Sequence, residues 1–319
     1  MKERRLPLGV DVGSCRIRVA ALAERADGRL RVLDAVGVDR DDDAARVLRR
    51  ALQGFGFPHC ERRAVIALSP SAAPLRDLRL PQMSRREREQ AVRFEGEALF
   101  SAAPPEGAGE LVMRWAQSPS GHLLLAAARR QRIEELRAIV VAAGLRPVAV
   151  DHEALAWLRA GATPLLDIGS LRSTLAVSHN GVAYVRQVPF GGDSFTGALA
   201  RAFALDAGVA EARKCAIGLA GAAGESLDEF GRRIDTVLVD LRAAEGIEVS
   251  RLALAGNGAR LPLLAEGLTA RLGVTAAPVE LAARFEIGVS PGVERGALLD
   301  WFSAIAIATY CASCDLAAA

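Results

Sequence analysis

The sequence predicts an α/β protein of two duplicated lobes, with an α+β unit inserted into the first. Three observations carry that expectation. The segment Asp11 to Leu22 aligns without gaps on Asp167 to Ser178, sharing Asp, Gly, Ser, Arg and Ala at five of twelve positions, the mark of an internal repeat. A third glycine cluster, Gly256-Asn-Gly-Ala-Arg-Leu-Pro262, follows the strand-like run Arg251 to Ala255 and precedes an apolar helical stretch from Leu263 to Leu272. Between the two copies lies a segment with helix-start signals and strands of its own.

Taken in order, the first copy opens with the apolar run Leu8 to Val10, turns at Asp11-Val-Gly-Ser14, and continues as an alternating strand to a second turn at Asp27-Gly28. Asp-Gly and Asn-Gly pairs favour tight hairpins because both tolerate positive φ. In the middle segment, Ser84 and Glu87 have capping-box spacing and predict a helix from about Arg85 to Phe100. Leu111 to Trp115 and His122 to Ala127 read as strands. Ile133, Leu136, Val140 and Ala143 then share one helical face ahead of the stop signals Gly144 and Pro147. This defines an α+β unit at about 69–150, with Pro104 to Gly109 as an exposed loop. The second copy begins with Leu165 and Leu166, turns at Asp167-Ile-Gly-Ser170 and turns again at Asn180-Gly181. Trp301 to Cys314 is apolar over 14 residues, short of the roughly 20 that a membrane span requires, and is expected to be a buried terminal helix.

At 319 residues, with 51% hydrophobic and 24% charged residues, the chain can bury a large core, which excludes a disordered, collagenous or small disulfide-scaffold protein. A formal charge of +2 is too small for the basic footprint of a nucleic-acid binder. The N-terminus lacks the apolar run of a signal peptide, so the protein is expected inside the cell. Five scattered cysteines, Cys15, Cys60, Cys215, Cys311 and Cys314, fit reduced, buried thiols. The Cys311–Cys314 pair has neither a second pair nor a neighbouring His to make a zinc site.

The repeated turn suits phosphate chemistry. Glycine lets backbone N–H groups approach an anion, serine adds a hydroxyl, and aspartate can hold hydrated Mg²⁺. Two such turns in duplicated halves would grip a triphosphate from both sides. The third glycine cluster brings backbone close to a ligand and aims a helix start at it; the alternative is a plain strand-to-helix connection. Lys2 and Lys214 are the only lysines. Glu211 and Lys214 lie at i and i+3 on one helix face, placed to hydrogen-bond a ribose or, alternatively, to form a solvated ion pair.

Several motifs resemble those of the actin-like ATPase superfamily (actin, heat-shock chaperone ATPases, sugar kinases, FtsA). The resemblance is to its first phosphate loop at Leu8-Gly-Val-Asp-Val-Gly-Ser14, its second at Leu166-Asp-Ile-Gly-Ser170 with Thr174, and its adenosine motif at Leu254-Ala-Gly-Asn-Gly-Ala259. Leu80 to Glu95, Ala142 to Ala154 and Gly191 to Thr196 resemble signatures of the PilM-like family of type IV pilus assembly. The resemblance covers about residues 6 to 300. It implies the actin-like, ribonuclease H-like, two-lobe ATPase fold: a first lobe over 1–163 carrying the insertion at about 69–150, a second over 164–296 with a further insertion at about 197–247, and a C-terminal helix within 297–319 packing back on the first. It also implies ATP or ADP with Mg²⁺ in the cleft.

On that resemblance Asp11 and Asp167 hold the metal, mainly through water. Gly13, Ser14, Arg18, Gly169, Ser170 and Thr174 contact phosphates, with Gly192 in the Gly191 to Thr196 motif beside them. Glu211 and Lys214 face the ribose, and Gly256, Asn257 and Gly258 the adenine side. Asp167 or Glu153 would orient water in a slow ATPase. The implied partner is the cytoplasmic N-terminal peptide of a PilN-like bitopic inner-membrane protein, with Phe94, Phe100 and the helix around Glu95 as candidate groove residues. Self-association is left open, nucleic acid and direct membrane insertion are not expected, and the location is cytoplasmic, peripheral to the inner membrane. Three positions depart from the family pattern: Arg18 stands where a lysine is usual, Asn257 interrupts a Gly-Gly pair, and Ile305 to Ala319 diverges from the usual ending. The alternatives are an FtsA-like division protein, disfavoured because no Lys or Arg follows Arg295 to build a basic membrane helix, and a small-molecule kinase, for which no catalytic base is evident between Asp11 and Pro70.

Overall fold

The structure, a computed structural model, describes residues 3–53, 55, 62–102, 104–106, 108–118, 121–219, 224–281, 284–288 and 299–312. Cys60, Cys314 and the expected boundary at 296–297 lie outside the described residues. Strands β1 (Arg4–Arg5), β2 (Leu8–Val12), β3 (Arg16–Glu24) and β4 (Leu30–Asp39) precede helix α1 (Ala44–Gln53) and strand β5 (Arg63–Leu68). β2, β3 and β4 form an antiparallel meander, and β5 returns parallel to β2.

The chain then leaves for a small unit: β6 (Leu75–Leu78), α2 (Arg85–Ala102), β7 (Leu111–Gln117) and β8 (Leu123–Arg129). Its three antiparallel strands run in the order β6-β8-β7, and Val92 and Phe100 of α2 pack on Leu123, Leu125 and Ala127. The capping box forms. Ser84 Oγ accepts from the Glu87 N–H at 3.3 Å, and Glu87 accepts from the Ser84 N–H at 2.8 Å. Phe100 is therefore core, whereas Phe94 stands exposed on α2. Arg85–Glu89 and Arg93–Glu97 pair along the solvated helix face.

Helix α3 (Arg130–Ala142), strand β9 (Arg146–His152) and helix α4 (Glu153–Arg159) follow. The sheet of the small unit ends with β8 at Arg129, and the stretch to about residue 150, expected within the unit, continues as α3 and β9. β9 pairs in parallel with β5, Val65 opposite Ala149, and Leu136 and Val140 of α3 enter the core beneath Val19 and Ile66.

The second lobe comprises β10 (Leu165–Ile168), β11 (Ser173–His179), β12 (Val182–Val188), α5 (Gly192–Phe203), α6 (Ala207–Ile217), α7 (Gly224–Glu245), β13 (Arg251–Ala255), α8 (Leu264–Leu272) and β14 (Thr275–Pro278). Its sheet order, β12-β11-β10-β13-β14, repeats β4-β3-β2-β5-β9 strand for strand, so the duplication extends well beyond the twelve aligned residues. β15 (Phe285–Ile287) and α9 (Phe302–Ala308) then return to the first sheet, β15 beside β4.

Alternation sorts the first sheet's two faces. Val19 and Ile66 meet α1 and α3, while Ala20, Leu22 and Val65 meet α4 and α9 in a core shared with Leu165, Ala176 and Ala255 of the second lobe. α4 and α9 are thus the joint on which the two sheets rest. Phe302, Ile305 and Ile307 are essentially inaccessible, each burial contributing roughly 2 kcal/mol. α9 reaches this depth because β2 offers Gly9, where a Cβ would sit 2.0 Å from the Ala304 carbonyl oxygen. Among the described residues no helix is long and apolar enough to cross a membrane.

Candidate functional site

The meander places each repeated turn at the end of its lobe's first strand. In the first lobe Asp11 lies opposite Arg18 in register, and Arg18 Nη1 donates to Asp11 Oδ2 at 3.0 Å. Arg40 Nη1 donates to the Gly13 carbonyl at 2.9 Å, fixing the turn. In the second lobe Asp167 lies opposite Thr174, the turn closing through the Gly169 N–H to the Arg172 carbonyl at 3.0 Å. The start of α5 locks onto it: the Gly192 N–H donates to the Gly169 carbonyl at 2.9 Å and the Asp193 N–H to the Ser170 carbonyl at 2.8 Å. A Cβ on Gly191 would lie 2.4 Å from the Ser170 oxygen, so this approach requires glycine.

The two turns face one another, with Ser14 Oγ 3.2 Å from Ser170 Oγ. The third glycine turn closes the remaining side. β13 runs parallel to β10 with Ala255 opposite Asp167, and Gly256 (φ +77°) passes so close that a Cβ would lie 2.8 Å from Asp167 Oδ1. Every residue nominated from the sequence for nucleotide or metal lines one cleft of about 930 Å³: Asp11, Gly13, Ser14, Arg18, Glu153, Asp167, Gly169, Ser170, Thr174, Gly192, Glu211, Lys214, Gly256, Asn257 and Gly258.

Three of them are engaged differently from the expectation. Lys214 is buried and spends its ammonium on the Gly192 carbonyl (3.1 Å), Thr196 Oγ1 (2.9 Å) and Glu211 (2.6 Å). It anchors α6 to α5 and leaves Glu211, half exposed, to face a ligand. Burial opposes ionisation of Glu211, but hydrogen bonds from Lys214 and Thr196 prevail and hold its carboxyl below the usual range. Arg18 bridges rather than standing free, and Asn257, expected beside adenine, accepts from Arg18 Nη2 at 2.9 Å on the Asp11 side.

Charge accumulates where the lobes meet. Burial pushes the Asp167 carboxyl up to about 7, Arg18 opposing and Asp11 adding to the shift. Burial also raises Asp11 against the pull of Arg18. Burial, then the charges of Asp11 and Asp167, lifts Glu153 well above an ordinary glutamate. Three crowded carboxylates with one guanidinium make a site that a cation would relieve. No ready-made cluster of three ligands exists among the described residues. The donors are hard oxygens of the kind Mg²⁺ takes, with water completing its shell, so the residues fit a hydrated Mg²⁺ better than a tightly caged ion.

Sequence reasoning missed His152. It caps α4, its Nδ1 accepting from the Ala154 N–H at 3.1 Å while Nε2 donates to the Ala73 carbonyl at 2.8 Å, and so orients Glu153. Burial lowers its pKa to about 4, although the Ala73 carbonyl and Asp151 favour the protonated ring. The signal was its place immediately before Glu153, but imidazole is not among the favoured capping groups. Also missed was the ion pair of Arg172 with Glu106 (2.9 Å), which joins the second turn to the small unit. Cys15 and Cys215, expected buried, are exposed and line the cleft, Cys15 after the first turn and Cys215 on α6.

Comparison with known proteins agrees with this architecture. The sequence profile of the family described as "Type IV pilus assembly protein PilM" matches residues 9–312. A solved structure titled "PilM-PilN type IV pilus biogenesis complex" is similar at 25% identity and a TM-score of 0.80, covering 95% of this chain and 97% of that one. The ethanolamine utilization protein EutJ from Carboxydothermus hydrogenoformans shares the fold at 15% identity and a TM-score of 0.57, covering 97% and 91%. The duplicated two-lobe fold is actin-like, and the family match sets aside the division-protein and small-molecule kinase alternatives. The chain belongs to the PilM family of type IV pilus assembly proteins.

Proposed function

We propose that this protein is a nucleotide-responsive scaffold of a type IV pilus or related inner-membrane assembly. It takes Mg-ATP or Mg-ADP between its lobes and presents the resulting lobe arrangement to the cytoplasmic N-terminal segment of a PilN-like membrane protein. The observation that carries the reading is the pair of acidic glycine turns meeting across one cleft, Ser14 against Ser170, with Asp11 and Asp167 behind them. The similar solved complex supports the choice of partner. A soluble, cytoplasmic location held at the membrane by that partner follows from this reading.

In this reading the Gly13–Ser14 and Gly169–Ser170 turns supply backbone N–H and hydroxyl donors to phosphates, Asp11 and Asp167 orient metal-bound water, and Glu211 accepts from a ribose hydroxyl. Mg²⁺ would neutralise the carboxylates and phosphate charge together. Burial and the neighbouring charges of Asp11 and Asp167 raise the Glu153 carboxyl well above an ordinary glutamate, which disfavours it as a strong base and accords with slow turnover at most. Because nucleotide touches both lobes, its binding favours whichever arrangement lets both turns contact it.

Calorimetric titration of Mg-ATP tests the site. Wild-type protein is expected to bind in a Mg²⁺-dependent manner, and Asp11→Ala to bind roughly tenfold or more weakly, as for loss of a charge-assisted contact. Equal affinity in the variant contradicts the metal role. The same titration with a synthetic PilN-type N-terminal peptide should show mutual strengthening, since coupling of binding free energies is reciprocal. Peptide affinity indifferent to nucleotide would remove the responsive part of the proposal.

A further inference from the structure

The two cleft positions that depart from the family pattern meet each other. Arg18 extends from β3 in the first lobe. One arm of its guanidinium holds Asp11 beside it, and the other reaches Asn257 Oδ1 in the second lobe, 239 positions away in sequence. A guanidinium presents N–H donors in a fixed plane and can satisfy a carboxylate and an amide oxygen at once, whereas an ammonium is a point charge on a flexible stem.

Both ends are held firmly. Arg18 is largely shielded, its side chain 13% exposed, which strengthens its bond to Asp11, while Asn257 is exposed and its bond to Arg18 is partly solvated. Asn257 opens a short 3₁₀ turn (Asn257–Arg260) whose neighbours cannot shift. A Cβ on Gly258 would lie 2.2 Å from Ile168 Cγ2, and one on Gly256 2.6 Å from the Ile168 oxygen. The turn is pinned to the second sheet, so the Asn257 amide is delivered to one place. The Ser14–Ser170 approach lies across the same cleft but is a neutral contact.

We propose that Asn257 is a positioning residue which, through Arg18, clasps the second lobe to Asp11 of the first. The clasp is made entirely by protein groups and holds the lobes together without help from a nucleotide. A cation arriving at Asp11 competes with Arg18 for that carboxylate, and a phosphate competes with Asp11 and Asn257 for the guanidinium, so loading the cleft and releasing the clasp are linked. This inference goes beyond the nucleotide reading, because its main test contains no nucleotide.

Hydrogen exchange read by mass spectrometry on the full chain, free of nucleotide and Mg²⁺, provides that test. Asn257→Ala is expected to speed exchange of amides in residues 11–18 and 255–261 by roughly fivefold, a conservative figure for losing a hydrogen bond to a charged group that is partly solvated. Exchange in β7 and β8 should not change. Asn257→Asp keeps the acceptor and should stay within about twofold of wild type, a rescue that a general loss of turn stability would not produce. Arg18→Lys should resemble Asn257→Ala, and the double variant should exchange no faster than either single one, because both remove one contact. Wild-type rates in Asn257→Ala, equally fast exchange in Asn257→Asp, or additive effects in the double variant would each overturn the clasp. Failure of wild-type protein to bind Mg-ATP would instead overturn the nucleotide reading and leave the clasp standing.

Discussion

Gly9→Ala is expected to destabilise the protein by about 3 kcal/mol, the upper end of ordinary overpacking costs, and to unseat the C-terminal helix. The added methyl meets backbone on the facing element: the Ala304 oxygen at 2.0 Å and the Ala308 nitrogen at 2.5 Å, with the Ala308 Cβ at 2.9 Å. No rotamer change relieves a clash with main chain, so α9 must move off β2. That withdraws Phe302, Ile305 and Ile307 from the core they share with Trp157 and Leu165. Trp157 would also lose the hydrogen bond its indole donates to Ser303 at 3.2 Å. Urea denaturation should show the lower midpoint, and limited proteolysis should cut near residues 299–312 in the variant first. Gly28→Ala is the control, since nothing lies within 4 Å of a Cβ there and only its φ of +78° opposes the change; it should cost about 1 kcal/mol. A Gly9→Ala variant as stable as wild type would show that α9 does not sit on β2.

The contrast between Gly9 and the turn glycines marks how far the sequence could be read. Gly13, Gly169 and Gly256 sit in motifs whose local chemistry, a strand end followed by glycine and a small polar residue, announces a turn that approaches a ligand. All three reach the same cleft. Gly9 lies inside a strand, and its requirement comes from a helix nearly 300 positions away, which no local pattern encodes. The end of the small unit is hidden in the same way. Leu136 and Val140 predict a helix correctly, but periodicity does not say which sheet that helix covers, and only the pairing of β9 with β5 assigns it to the first lobe. Lys214 stands out in the sequence by its rarity and reads as facing a ribose or solvent, whereas a buried ammonium needs acceptors and finds three on α5 and its own helix. The Arg18–Asn257 contact was legible only as two separate oddities.

Asp167→Asn is expected to stabilise the metal-free protein at neutral pH and above while removing most of the Mg²⁺-dependent part of nucleotide affinity. In the fold, Asp167 keeps its proton up to about 7 instead of 3.8. Between those values the folded state binds more protons than the unfolded chain. Stability from this group is therefore complete below the lower value and is lost as pH rises through the upper one, a loss on the order of 4 kcal/mol. Asp11 and Glu153, both raised, act in the same direction.

His152 acts oppositely. Its folded pKa of about 4 lies below the ordinary 6.5, so the unfolded chain binds the extra proton and stability climbs with pH across that window, by on the order of 3 kcal/mol. In EDTA, urea midpoints measured from about pH 4.5 to about 8 should fall with pH in wild type, where three carboxylates oppose one imidazole. The fall should flatten in Asp167→Asn and steepen in His152→Asn, which retains a capping side chain but cannot titrate. Identical profiles for wild type and Asp167→Asn would mean that the carboxylate is not held in an unfavourable site. The opposition also bears on binding. A group whose charge is costly without a cation gains most when one arrives, so the substitution that most stabilises the metal-free fold should be the one that most weakens Mg-ATP, as expected where function is placed at the expense of stability.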